Sequence, residues 1–571
     1  MRQLTLVLLI CLPVLAFAQE VHKRNLTKKK FFYYDAHQTQ VESEGYYYKD
    51  DLGETALRHG RWRFYDKEGG LLEERWYFKN ELHGPAQVYF ANGVVASEGF
   101  FWLGQQDSTF IERFENGNIR QKGSYKAGKP IGEWQYFYRD GRLKMMEEIA
   151  GGISYVWTFH LSDSAHTELI SEGNGELAIY YTNGILKEYY NYKNGMKNGP
   201  FEERSVYGYP LLTGEFVDNQ PHGEWTYYYY SGDLEKKSNF KEGVLHGPYS
   251  YYYDNGQVNV EGSYLEANKD GKWTWYTNKG TVDMVGHFQE GKQHGEWRYN
   301  FPEGNLSYIA HYNEGLKHGK WEYFYKTGEQ FKVGHYENDL KHGNWKTWYE
   351  SGQLLMDGDY KAGKEEGIWQ NFWENGQLKN KSTFKNGELH GEWLSFYKDG
   401  KPKLAGSYDR GLKSGEWRDY FENGRLKDIE NYKVITKKSK AKDPVMKGRA
   451  NLVSVKHGEF VSFSAKDYQK TQEGKFKNGD KDGEWIAFHP GGKMPAVVTT
   501  YKKGKLDGPM RTYTFKGNKL ISEVNYKDGK QHGTVKIYDK RGRLIKEEEY
   551  RNGIRVVEGT ASGTAFSGGK K

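Results

Sequence analysis

The chain has 571 residues, and its 83 Lys and Arg against 76 Asp and Glu leave a formal charge of +7. Spread over so long a chain, that reads as a mildly basic solvated surface and argues against a polyanion such as nucleic acid as the partner. Seventy glycines and a 16% share of Phe, Trp and Tyr supply turns and β-surface. The single cysteine, Cys11, lies in the leading apolar stretch, so the mature chain is expected to have no disulfide, no thiol chemistry and no cysteine metal site.

Met1-Arg2, the apolar run from Leu4 to Leu15 and Ala16-Phe17-Ala18 read as a secretory signal peptide over residues 1–18. The run is too short to span a bilayer as a helix. The expected location is therefore the periplasm, the outer membrane surface or the exterior of the cell. A lead-in over 19–44 contains the basic cluster Lys28-Lys29-Lys30. A first block of repeats covers 45–150, an irregular or eroded unit 151–174, and a regular block 175–432. A basic insertion loop is expected at 433–457, repeats of 25-residue period at 458–556, and a flexible Gly- and Ser-rich tail at 557–571.

In the regular block a glycine returns every 24 residues without insertion, at Gly199, Gly223, Gly247, Gly271, Gly295, Gly319, Gly343, Gly367, Gly391 and Gly415. A fixed period of this size marks a repeat architecture whose units bury apolar surface against their neighbours. A second glycine follows nine residues after the first, as at Gly232 and Gly256, and an aromatic seventeen after it, as at Phe240 and Tyr264. Asn-Gly pairs at 255, 375 and 423 read as tight two-residue hairpin turns. The expected fold is all-β, an elongated solenoid-like antiparallel meander of about nineteen 24-residue hairpins. Both strand faces carry rings: Trp345 and Tyr349 on one, Trp348 on the other.

The strings His294-Gly295-Glu296-Trp297 and His342-Gly343-Asn344-Trp345, each followed by paired aromatics and Tyr-x-x-Gly, resemble the MORN repeat. The likeness is greatest to its bacterial variant in YwqK-type, antitoxin-like proteins, and it covers the chain from about Gly60 to Gly553. The resemblance implies β-hairpins in an elongated twisted sheet, scaffold or interaction roles with protein and lipid partners, and no catalysis. The export signal departs from the cytoplasmic setting expected of an antitoxin.

The histidines before the key glycine, among them His222, His246, His294, His318, His342 and His390, stand one repeat apart. At about 10 Å per hairpin they are too distant to share a metal ion with ligand bonds of about 2 Å. They are assigned turn-forming, hydrogen-bonding roles. Glu224, Glu296, Glu392 and Glu416 recur after the glycine, as cross-strand charge partners do. The sequence contains no Walker A, His-Glu-x-x-His or Gly-x-Ser-x-Gly string, and no catalytic residue, cofactor or metal site is assigned.

The expected function is an exported, non-enzymatic scaffold that binds envelope or secreted proteins. The candidate binding surface is the row Trp225, Trp273, Trp297, Trp321, Trp345, Trp369, Trp393 and Trp417, which would also suit polysaccharide by ring stacking. A toxin-binding role follows from the resemblance. Contact with anionic lipid would use Lys28-Lys29-Lys30 and the basic stretch 437–442.

Overall fold

The computed structural model describes residues 25–438 and 450–557; the expected signal peptide, the centre of the basic insertion and the tail beyond Val557 lie outside them. The chain divides at Gly280/Thr281 into two units. Within each, successive strands pair antiparallel with their sequence neighbours, giving the all-β, solenoid-like meander of hairpins expected from the period.

One repeat of the first unit shows how the pattern becomes structure. The strand Gln220–Tyr228 pairs with Leu234–Lys241 through Gly223↔Phe240, Trp225↔Ser238 and Tyr227↔Lys236. That strand in turn pairs with Val244–Tyr252. Because side chains alternate across a strand, Trp225, Tyr227, Lys236 and Phe240 share one face, and Glu224, Thr226 and Lys237 share the other.

The two ends of each hairpin close differently, and the Asn-Gly expectation is corrected here. A two-residue type I′ turn needs positive φ at both central residues. That condition holds at the opposite end from the Asn-Gly pairs, at Glu242-Gly243 (φ 50° and 77°), Asp218-Asn219 (49° and 67°) and Asn338-Asp339 (48° and 66°). At Asn255-Gly256 only the glycine is left-handed, with φ 80°. The chain there reverses over a wider loop, in which the Tyr253 N–H donates to the Gln257 carbonyl at 2.8 Å. Asn255 is used for its side chain. Its Oδ1 accepts from the Gln257 N–H at 3.0 Å, and its Nδ2 donates to the Asn278 carbonyl of the next loop at 2.8 Å.

The wide loop is also where the period changes. In the regular block its closing pair lies four residues apart, as in Tyr349 N–H to the Gln353 carbonyl. In the 25-residue repeats it lies five apart, in Ser464 to Gln469, His489 to Met494 and Thr514 to Lys519. The extra residue enters a solvated loop, while the two-residue turns keep their length, as at Lys503-Gly504.

The key glycine is not at a turn. Gly223, Gly271 and Gly343 lie inside strands with φ of 65°, 66° and 63°, where the pairing register shifts by two residues. These are bulges, and glycine is required because the left-handed conformation is costly with a side chain. The histidines beside them are strand residues rather than turn formers: His294 stands opposite His287 and His342 opposite His335.

Two segments depart from the repeat. The span expected to be eroded forms the strands Ile153–His160 and Glu168–Ser171 around an apolar core of Val156, Phe159, Ile170 and Leu177. The Val156 N–H donates to the Gly195 carbonyl at 2.7 Å, and Gly195 N–H to the Gly173 carbonyl at 2.8 Å. The span expected to be an insertion loop has strand at both ends: Leu426–Lys438 pairs with Ala450–Lys456 from Tyr432↔Lys456 to Lys438↔Ala450.

Since Asn255 ties two successive loops, Asn255→Ala removes one hydrogen bond within the loop and one between loops. A loss of about 1–2 kcal/mol in local stability is expected, read as faster amide exchange at Gln257 and at the 277–281 loop, with the type I′ turns unchanged.

Candidate binding surface

The expected binding row is a core rather than a surface. Trp225, Trp273, Trp297, Trp321, Trp345, Trp369 and Trp417 are only 1–6% exposed; Trp393 alone of the eight is half-buried. The physical reason is the residue eleven before each ring, a glycine for six of the seven and Ala310 for Trp321. Gly262, Gly286 and Gly334 lie directly under Trp273, Trp297 and Trp345, where an added Cβ would come within 2.1–2.2 Å of the indole. The ring therefore lies flat on bare backbone, and its N–H reaches the carbonyl of the next residue. Trp273 donates to Ser263, Trp297 to His287 and Trp345 to His335, each at 3.1 Å.

Neighbouring residues close the remaining sides. A ring nine positions earlier presents its edge, with centroids 5.3 Å apart for Tyr264 and Trp273, 5.2 Å for Tyr336 and Trp345, and 5.0 Å for Tyr360 and Trp369. Such edge-to-face pairs add to the area term. A lysine four positions before the tryptophan lays its stem over the ring, with Nζ 4.3 Å from the centroid for Lys269 on Trp273, 4.2 Å for Lys413 on Trp417 and 4.0 Å for Lys481 on Trp485. Burial against these rings pushes the Lys269 and Lys481 ammonium groups below their usual range.

The glycine at minus eleven is legible in the sequence as a further recurrence beside the key glycine and the glycine nine residues after it, and it was not singled out there. Gly123, Gly214, Gly262, Gly286, Gly334, Gly358, Gly406 and Gly474 stand under Trp134, Trp225, Trp273, Trp297, Trp345, Trp369, Trp417 and Trp485. Where another side chain replaces the indole, its partner is larger: Tyr249 faces Ser238, Met510 faces Thr499 and Val535 faces Val524. The pair is sized as a unit, as close packing demands.

On the opposite face the glutamates after the key glycine pair with cations. Glu224–Lys237 and Glu392–Lys381 bridge strands at 2.9 Å, whereas Glu296–Arg298 and Glu416–Arg418 run along one strand. These contacts are solvated and contribute about 0–1 kcal/mol each. In the basic lead-in, Lys29 is held by Glu44 at 2.7 Å and Lys30 by Glu54 at 2.9 Å. Among the described residues no group of three or more His, Cys, Asp or Glu is arranged to hold a metal ion.

One group of exposed aromatic rings lies near the wide loops of the first unit. Tyr207, Tyr209 and Tyr230 are 69%, 51% and 61% exposed, and the Tyr207 and Tyr230 rings meet edge to face at 6.2 Å. The Tyr209 ring also lies close to Gly232 of the next loop.

Comparison with known proteins places the repeats in a family. The model of the MORN repeat variant matches residues 58–80, 82–102, 106–127, 174–194, 221–242, 245–266, 293–314, 341–362, 365–386, 389–410, 413–433 and 531–552. No curated protein matches the chain. Among solved structures, the crystal structure of TcdB2-TccC3-Cdc42 is similar at 11% identity over 90% of this chain, with a TM-score of 0.12. The Photorhabdus luminescens Tc holotoxin pore carrying the TccC3-D651A mutation is similar at 12% identity over 89%, also with a TM-score of 0.12. The chain spans about a third of the length of these structures, 33% and 30%.

The packing fixes what substitutions should do. Gly286→Val inserts branched bulk under Trp297 and is expected to cost about 1–3 kcal/mol. Trp297→Ala, which empties the site, should cost about 3–5 kcal/mol. In a chain of stacked units the damage stays local, so it is to be read by hydrogen exchange in residues 283–313 rather than by a single melting temperature.

Proposed function

The chain belongs to the MORN repeat variant family, and from that premise we propose that it is an exported, non-enzymatic scaffold holding other proteins at the cell envelope. Repeats of this family form scaffolds, often in protein or membrane binding. Their design suits that role: each unit hides its rings inside and leaves a solvated exterior on which a few positions can vary without disturbing the core. The leading segment Met1 to Ala18, with its export pattern, supports placement outside the cytoplasm.

The observation that carries the protein-binding reading is the exposed tyrosine group Tyr207, Tyr209 and Tyr230. These rings do not serve the core, where the buried indoles already stand. Tyrosine offers large contact area and a polar tip, and it is enriched in the energetic centres of protein interfaces. The partner expected is a folded envelope or secreted protein with a complementary apolar patch.

Crosslinking of the tagged protein in the producing cell, followed by affinity capture and mass spectrometry, tests this. A short list of envelope proteins is the expected result, with recovery falling at least about tenfold in a Tyr207→Ser/Tyr230→Ser double variant, as for loss of interface anchors. Recovery of no protein above background removes the scaffold reading. Equal recovery with the double variant moves the contact away from this patch.

A further inference from the structure

Trp393 is the one member of the buried row that the packing fails to seal. Under it stands Ser382 instead of glycine, and the two pair directly across the strands. A Cβ at the equivalent glycines would strike the ring at 2.1–2.3 Å. Ala310 under Trp321 shows that one methyl can be absorbed, because Trp321 keeps its N–H bond to the His311 carbonyl at 3.1 Å. Serine adds a further atom, and the arrangement gives way. The backbone records the change: the key glycine before each of the other seven tryptophans has φ between 63° and 78°, whereas Gly391 stands at 91°. That places it with Gly247 and Gly508 at 100° and 119°, which precede Tyr249 and Met510.

Three contacts are lost in consequence. Among the described residues the Trp393 indole N–H makes no bond to the Thr383 carbonyl, the acceptor its position predicts. Phe384, nine residues earlier, does not present its edge to it. Tyr408 lies 6.4 Å away, against 5.8–5.9 Å for the corresponding Phe384 on Trp369 and Tyr360 on Trp345. The ring leans instead on Trp417, with centroids 5.8 Å apart at 31°.

The space beside it is also open. Two residues beyond the tryptophan, Tyr299 and Tyr323 fill this column with rings that stack on Tyr308 at 4.1 and 5.5 Å. Ser395 occupies that position beside Trp393, opposite Asn380. The result is a cavity of about 500 Å³ lined by Trp393, Trp417, Asn380, Ser395, Asp419 and Glu430, among others. This lies within the ~300–1,000 Å³ typical of small-ligand sites, and the mixture of aromatic wall and a few polar groups is also typical.

The lining selects the chemistry of the occupant. Asp419 is already met by Lys427 at 2.8 Å and Glu430 by Lys456 at 2.6 Å. Burial pushes the Glu430 carboxyl up, but the Lys456 ammonium and Tyr432 hydroxyl outweigh it and hold the group below its usual range. The lining carries both signs of charge, with Asp419, Asp428 and Glu430 against Lys379, Lys403 and Lys413, so a ligand of either net charge meets like charge there. A wholly apolar ligand would take Asn380, Ser395 and the carboxylates out of water and leave their remaining hydrogen-bond positions unfilled, at about 1–3 kcal/mol for each group. A neutral polyhydroxylated ring satisfies all of them. Its hydroxyls donate to Asp419 and Glu430 and accept from the Asn380 amide, while its C–H face lies on the Trp393 indole. The geometry points to a saccharide subsite at Trp393, opened by Ser382, that binds a pyranose unit of a neutral oligosaccharide.

Isothermal titration of the full mature chain with cellohexaose, laminarihexaose, maltohexaose and chitohexaose tests it. At least one is expected to bind with Kd below about 1 mM. Ser382→Gly removes no aromatic ring and restores the packing of the other repeats, so Trp393 should seat on the sheet and binding should fall at least about tenfold, or 1.4 kcal/mol. Trp393→Ala should weaken it by as much, whereas Phe515→Ser, at an exposed ring several repeats further along the chain, should leave it unchanged. Absence of binding by all four sugars, or titrations of Ser382→Gly or Trp393→Ala that match the wild type, overturns the assignment.

Discussion

An indole laid flat on a glycine is the contact on which most repeats of the regular block depend. A single-layer sheet has no second layer to cover its apolar face, so its core must be made within the sheet. A large ring that lies down over the neighbouring strand supplies one. A buried tryptophan removes roughly 150–250 Å² from water, about 4–6 kcal/mol at ~25 cal/mol per Å². That gain is available only if the strand beneath has no side chain at that point. Trp273 over Gly262, hydrogen-bonded to Ser263 at 3.1 Å, is the unit from which the rest follows. The bulge at the key glycine belongs to the same device: Gly271 at φ 66° bends the strand so that the ring two residues on can lie down.

Stacking is then secured at both hairpin ends. At the wide loops Tyr253 donates to the Tyr276 carbonyl, Tyr325 to Trp348 and Tyr397 to Tyr420, each at 2.8 Å. At the two-residue turns, the glycine N–H reaches back to the preceding turn, as in Gly243 to the Pro221 carbonyl at 3.0 Å and Gly387 to Glu365 at 2.9 Å. With both ends tied to neighbours, a residue added within a strand would break one set of bonds and turn the rings to the wrong face. This accounts for ten key glycines in unbroken register from Gly199 to Gly415. It also accounts for where length does vary: one residue in the wide loops after Gly458, or an added pair of strand segments, as at Leu426–Lys438 with Ala450–Lys456.

The hairpin repeat, its strands and its 24-residue step were legible because period-two alternation and recurrent glycine are direct images of strand geometry. The assignment of turns was not. Asn255-Gly256 satisfies the local rule for a tight turn, yet the side chain of Asn255 is committed to the Asn278 carbonyl in the next repeat, which local rules cannot see. The tryptophan row failed for a related reason. Alternation tells which rings share a face but not whether that face is covered, and here the cover comes from a lysine stem, a neighbouring ring and the bare backbone of a glycine eleven residues away. The last of these was visible in the sequence as a second period in phase with the first. The exposed tyrosines Tyr207, Tyr209 and Tyr230 carried no such signal, since in sequence they look like any other ring of the pattern.

A repeat that spends its aromatic residues on its own core constrains where specificity can reside. Any unit that keeps the glycine, the indole and the lysine is sealed, and the ring inside it is unavailable to a ligand. Distinctive chemistry must therefore come from exterior positions or from units in which the seal is broken. Breaking it is chemically small, a matter of one Cβ and one hydroxyl at Ser382, because the indole is held by contacts that act together. Once the ring is lifted from the backbone, its N–H loses the carbonyl and its face loses the edge of the preceding ring. The neighbouring units keep their own seals, since each rests on its own glycine, so the opened unit costs the fold only a local fraction of its stability. A scaffold built in this way can vary one unit at a time while the sheet around it stays intact.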